Sequence, residues 1–331
     1  MTNTRPGFRE IRERRRLLAL LAAPLIMPTG SRAATDYPNR PLRFIVAGAP
    51  GGGDDFAARV LAEHLSAQLG QPFVVDNRPG AGGAIGQLAV AKAPPDGYTL
   101  LLAGGSMAGA RFVNANASYD LTKDFTPIST IETSPFVLIV SPALPVKSLK
   151  EFTDHARARP GKLNYATIGA GQVPFWAVLL LNRMAGIEAL EVPYKSGGDA
   201  IADVIAARID YFFSPLVAAV AVKDKLRILG ISTAARSSLL PEVPSVAEAG
   251  LPGYDMPAWR SIMGPAGLER DVVAVLNREI RKALAAPDLR DRFLKAGSTP
   301  LGSTPEELRQ RYEDWAGIFG KIALDANLKP Q

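Results

Sequence analysis

Three features of the 331-residue chain predict an α/β fold of two lobes around a cleft. Short apolar runs alternate with segments of helical period, that alternation occurs twice, and extended stretches separate the two halves. Hydrophobic residues make up 47% of the chain and charged residues 21%, which is ample for packed cores, and the length suits about two domains.

Ahead of the first element, Arg14-Arg15-Arg16 precedes an apolar run over residues 17–27, too short to cross a hydrocarbon core of roughly 30 Å. Ser31-Arg32-Ala33 supplies a small-x-small cleavage pattern. Residues 1–33 are therefore expected to be an export signal, cleaved near Ala33/Ala34, and the mature protein to be periplasmic. Both the general and the twin-arginine export routes fit Arg14-Arg15-x-Leu17-Leu18.

Residues 42–48 form a buried-strand pattern that ends in the turn Pro50-Gly51-Gly52-Gly53. A helix follows from Phe56, with Val60, Leu61, Leu65 and Leu69 on one face, Asp54 or Asp55 as N-cap and Gly70 as stop. A strand at 73–75 leads through Asn77-Arg78-Pro79-Gly80-Ala81-Gly82-Gly83 into a helix reaching about Lys92, then a strand at 98–103. This order implies a parallel sheet with its loops gathered at the carboxyl ends of the strands.

The second half repeats the pattern. It has a helix at 148–158, a strand at 163–167, the loop Gly169-Ala170-Gly171, a helix at 174–185 and a strand at 191–194. A helix from about Asp199 and strands at 209–213 and 226–232 complete it. The chain crosses between lobes along 125–140, an extended stretch broken by Pro127 and Pro135, and returns along 259–263. Thr304-Pro305-Glu306-Glu307 reads as a capping box for a last helix reaching Ala323. The lobes are accordingly expected to be residues 34–132 with 255–331, and residues 133–254.

Composition narrows the chemistry. The chain has no cysteine, which excludes disulfides, thiolate catalysis, Cys-ligated metals and a lipid anchor on an N-terminal cysteine. Its formal charge is +6, but residues 1–33 hold seven arginines against Glu10 and Glu13, leaving about +1 on the rest. A nucleic-acid surface needs far more. G-x-S-x-G, H-E-x-x-H and P-loop motifs are absent, and His64 and His155 fall on helices away from the loop ends. No catalytic residue, metal or cofactor is expected. Trp176, Trp259 and Trp315 lie in apolar segments and are assigned to core packing.

The loops Gly51-Gly52-Gly53, Gly80-Ala81-Gly82-Gly83 and Gly169-Ala170-Gly171 each join a strand to a helix. Free backbone N–H groups and the helix dipole favour phosphate or carboxylate there. Dinucleotides fit poorly: Gly80-x-Gly82-x-x-Ile85 lacks the third glycine, and Gly51-x-Gly53-x-x-Phe56 carries Asp54 and Asp55 where a pyrophosphate would rest.

Several motifs together resemble the Bug family, the extracytoplasmic solute receptors of tripartite tricarboxylate transporters. They are Tyr37-Pro38-x-Arg40-Pro41-Leu42, Gly51-Gly52-x-x-Asp55-x-x-Ala58-Arg59, Asn77 to Gly86, Pro95-Asp96-Gly97-Tyr98-Thr99-Leu100, Pro160-Gly161-Lys162-Leu163-Asn164-Tyr165 and Pro244-Ser245-Val246-Ala247-Glu248-Ala249-Gly250. The resemblance implies a type II periplasmic-binding-protein fold (Venus flytrap), a small organic acid as ligand, membrane transporter subunits as partners and a monomer. It also implies that the ligand carboxylate is held by backbone amides and ordered waters of the loops Gly51, Gly52, Gly53, Asp54, Asp55 and Gly80, Ala81, Gly82, Gly83. Ser106, Thr167, Gly169, Ala170, Gly171, Gln172 and Ser214 complete the expected ligand-binding set. A ligand-sensing module feeding a signalling system is the alternative role.

Departures from the family pattern bear on the ligand. Asp54 stands where relatives carry Ser or Thr, Pro174-Phe175-Trp176 where many carry a polar residue, and Ser214-Pro215 where an Asp-Asn pair is common. The second lobe is thus expected to meet a less polar end of the ligand. Asp54 is expected either to face solvent or to accept a hydrogen bond from an amino or hydroxy acid.

Overall fold

The computed structural model describes residues 1–2 and 37–331, so the expected export signal and its cleavage site lie outside the described residues. The apolar run Leu42–Val46 forms β1, with β2 (Phe73–Asn77) and β3 (Thr99–Gly104) parallel on either side. Beyond β3 the expectation of a parallel sheet fails. β10 (Ala258–Pro265) runs antiparallel to both β3 and β4 (Phe125–Ser134), and β11 (Thr299–Pro300) closes the order β11-β4-β10-β3-β1-β2. The two strands that carry the chain out of and back into this sheet lie side by side within it, which makes it mixed.

Pro127 does not break the first crossing as expected. It sits inside β4 opposite Met263, at a register irregularity that accommodates a residue without an N–H donor. Pro135 does separate β4 from β5 (Phe136–Val140), which belongs to a second sheet of order β7-β6-β8-β5-β9. There β6 (Leu163–Thr167) is parallel to β7 (Ala189–Pro193) and β8 (Tyr211–Pro215), while β5 is antiparallel to β8 and β9 (Arg227–Ile231).

Helix α1 (Gly53–Leu69) starts one turn earlier than its apolar period suggests. Its N-cap is Gly52, with no side-chain cap, so neither Asp54 nor Asp55 is the N-cap; both lie in the first turn, where other partners hold their carboxylates. Gly70 ends it in the left-handed conformation, as its position implies. With α7 (Arg270–Ala285) and α8 (Pro287–Lys295), α1 covers one face of the first sheet through Leu61, Leu65, Leu276, Ile280 and Phe293.

Helix α2 (Ala84–Ala91) and the 3₁₀ segment Gly105–Phe112 follow β2 and β3. The second sheet carries α3 (Leu149–Arg157), α4 (Val173–Ala185), α5 (Gly197–Ile205) and the short α6 (Leu216–Val220). The last helix, α9 (Pro305–Asp325), has the full capping box: the Glu307 N–H donates to Thr304 Oγ1 at 3.1 Å and the Thr304 N–H to Glu307 Oε2 at 2.8 Å.

One apolar cluster runs through both lobes, joining Leu101 and Met107 to Leu138, Tyr211, Trp176 and Phe319. All three tryptophans are buried, at 0%, 1% and 8% exposure for Trp176, Trp259 and Trp315, as their apolar settings imply. Among the described residues no helix is long and apolar enough to cross a membrane.

Candidate functional site

A cleft of about 320 Å³ opens where the carboxyl ends of β1 and β3 face the second sheet. This is within the range of small-molecule sites. On the first-lobe side, Gly83 is the N-cap of α2 and Gly105 the first residue of its 3₁₀ segment, so two helical starts reach the same space, joined by Gly82, Gln87 and Ser106. On the other side lie Phe136, Ile168, Gln172, Val173, Pro174 and Pro215.

The geometry of the Gly80–Gly83 turn needs glycine. Gly82 has φ of 63°, and a Cβ there would come within 2.8 Å of the Asn114 amide, whose Nδ2 donates to the Ala81 carbonyl at 2.8 Å. Gly51, in contrast, is glycine for its φ of 79° alone, since a Cβ would meet nothing within 4 Å.

The two aspartates of α1 separate. Asp55, 4% exposed, accepts the Gly51 N–H and Arg59 Nε, both at 2.9 Å. The hydrogen bond from Arg59 lowers its pKa below the ordinary aspartate value; burial opposes this, and the Gly51 N–H adds to it. Asp54 is half-exposed at the cleft edge and has a partner that the sequence reading did not foresee. Its Oδ1 accepts Arg260 Nε at 2.5 Å, and Arg260 Nη1 donates to Glu132 Oε1.

Arg260 and Glu132 are directly opposed on β10 and β4, and Glu132 is 1% exposed. Burial alone would lower the pKa of Arg260. The adjacent Glu132 and Asp54 carboxylates outweigh it and hold the guanidinium charged, above the usual arginine value. A buried carboxylate is tolerated only with such a partner.

Of the expected ligand-binding residues, Asp54, Gly82, Gly83, Ser106 and Gln172 line the cleft. Gly51, Gly52 and Gly53 line an adjoining hollow of about 380 Å³ beside Glu132 and Arg260, and Ala170 and Gly171 a small recess with Gln87 and Ser106. Gly80, Ala81, Asp55, Thr167, Gly169 and Ser214 line none of these. Thr167 Oγ1 donates to Glu191 at 2.7 Å and Ser214 Oγ to the Pro215 carbonyl at 3.2 Å.

Sequence reasoning missed Gln87, Phe136 and Arg260, and it assigned to core packing Trp259, which is buried but also lines the cleft. Gln87 stands one helical turn after Gly83, a spacing that points it the same way. No local signal marks Arg260, which meets Asp54 across 206 residues. Among the described residues no group of three or more His, Asp or Glu side chains is placed to hold a metal ion.

Residues 57–322 match the tripartite tricarboxylate transporter family receptor. The chain belongs to this family. The receptor is 36% identical over 316 residues to protein BugT of Bordetella pertussis, covering 92% of the chain and 96% of BugT, which confirms the resemblance read from the motifs. Among solved structures it is similar to an R. palustris protein with adipate, at TM-score 0.77 and 32% identity over 89% of this chain and all (100%) of that one. It is also similar to MatC from Rhodopseudomonas palustris with bound malate, at TM-score 0.74 and 31% identity over 87% and 100% of the two chains. The receptor thus has the two-lobed periplasmic-binding-protein fold, in a family of extracytoplasmic substrate-binding receptors rather than enzymes.

Proposed function

We propose that this receptor, exported to the periplasm and monomeric, closes around a small carboxylate and hands it to the membrane subunits of a tripartite transporter. The observation that carries this reading is the convergence of two helical starts, at Gly83 and Gly105, on one interlobe cleft together with Ser106 and Gln87. An anion there meets oriented N–H dipoles, a hydroxyl and an amide, while the one lining cation, Arg260, is paired with Asp54 and Glu132. Two structural neighbours were solved with adipate and with malate, both organic acids, which supports the same chemistry.

In this reading residues 34–132 with 255–331 form one lobe and residues 133–254 the other. Asp54, Gly82, Gly83 and Ser106 belong to the first-lobe wall of the cleft, and Gln172 with Val173 and Pro174 to the second.

The test is a thermal-shift screen of the mature protein over mono-, di- and tricarboxylates, amino acids and uncharged analogues, followed by calorimetric titration. An acid at 100 times its Kd should stabilise by about 2.7 kcal/mol and raise Tm by a few degrees. Selective stabilisation by uncharged analogues, or no response to any acid, would overturn the reading.

A further inference from the structure

The charges around the cleft are those of a receptor for one carboxylate rather than several. Among the described residues lining the cleft and its adjoining hollow, the charged side chains are Asp54, Glu132 and Arg260. Arg260 is the one cation, and its Nε and Nη1 are held by Asp54 and Glu132. The cluster therefore presents a net charge of −1 to the ligand space.

Across the cleft, Phe136, Ile168, Val173, Pro174 and Pro215 are apolar, and among the described residues Gln172 is the only polar side chain of that wall. The start of α4, which elsewhere would offer its backbone donors to an anion, has a proline in its first turn, which removes one N–H. A ligand's first carboxylate can be received at Gly83 and Ser106. A second at its far end would leave water for an apolar wall whose described lining residues include no cation, with Arg260 across the cleft already paired to two carboxylates.

We propose that this receptor takes a monocarboxylate carried on an apolar body and rejects di- and tricarboxylates. The proposal rests on the carboxylate-receptor reading and names its substrate class. It sets the receptor apart from its structural neighbours solved with adipate and malate.

Matched probes test it by calorimetry on the mature protein: hexanoate against adipate, and benzoate against terephthalate, each pair sharing a body and differing by one carboxylate. The monoacid of at least one pair should bind tenfold or more tightly than its diacid. Asp54→Asn, which removes one negative charge from a half-exposed position, should narrow that gap by raising diacid affinity severalfold.

A diacid that binds as tightly as its monoacid overturns the proposal and leaves the carboxylate receptor standing. Failure of both monoacids to bind also overturns it, and the broad acid screen then judges the receptor reading on its own. A gap unchanged in Asp54→Asn, with native circular dichroism, removes the charge argument.

Discussion

The indole of Trp176 lies flat on the ring of Phe319, with centroids 4.4 Å apart and planes 20° from parallel. Trp176 belongs to α4, which opens into the cleft, and Phe319 to the C-terminal helix α9. The pair fastens those two helices together behind the ligand space. Trp176 Nε1 also donates to the Gly171 carbonyl at 2.9 Å, tying the second-lobe glycine turn to the same anchor.

Truncating this anchor should be costly. Trp176→Ala removes a ring with 0% exposure and is expected to lower unfolding free energy by about 3–5 kcal/mol in urea titrations. Gly109→Ala attacks the same contact from the other side, since its Cβ would lie 2.6 Å from the Trp176 ring and 2.7 Å from that of Phe319. Overpacking of about 1–3 kcal/mol is expected. A loss below 1 kcal/mol in Trp176→Ala would mean that the stack is dispensable.

Arg260→Met should destabilise strongly, by about 3–5 kcal/mol, because it leaves Glu132, at 1% exposure, without its partner. The double variant Glu132→Gln/Arg260→Met should recover much of the loss, as both charges go together. Chemical denaturation of the parent, both single variants and the double variant closes the cycle, and a double variant as destabilised as Arg260→Met would count against the pairing.

Helix α2 is expected to resist a single methyl group. Alanine ordinarily favours a helix over glycine by about 1 kcal/mol, yet a Cβ at Gly86 would sit 3.0 Å from Ala47 Cα and 3.1 Å from the Arg78 carbonyl, both backbone atoms. Gly86→Ala should therefore lower Tm and, by shifting α2 and Gly83 away from β1, weaken ligand binding. A raised Tm would show that propensity outweighs the clash.

Asp55 supplies a pH dependence of defined sign. Its pKa is lowered in the folded protein, first by Arg59, so its contribution is fully present above the unfolded value of 3.8 and is lost as pH falls through the folded pKa. Asp55→Asn should be less stable than the parent at pH 7, and the difference should shrink once the pH drops below about 4. Melting curves from pH 7 to pH 2.5 read this directly; a constant difference across the range would show that the side chain acts without its charge.

Much of the architecture was legible in the chain because it rests on local rules. Gly70 ends α1, Pro135 separates β4 from β5, the Thr304 capping box starts α9, and the Leu163–Thr167 run is β6, each through interactions spanning a few residues. The motifs likewise marked the family, and of the three glycine loops the Gly80–Gly83 turn brings Gly82 and Gly83 to the cleft.

Tertiary structure alone decided the rest. Nothing in Trp259–Arg260–Ser261 says that β10 lies antiparallel between β3 and β4, and that placement brings Arg260 to Asp54 and Glu132. The apparent pair of free carboxylates at the loop mouth thus became one held by Arg59 and one held from a strand 206 residues away. Periodicity and turn chemistry act over a few residues, whereas the partner of a buried charge is fixed by whichever distant strand the sheet order sets beside it.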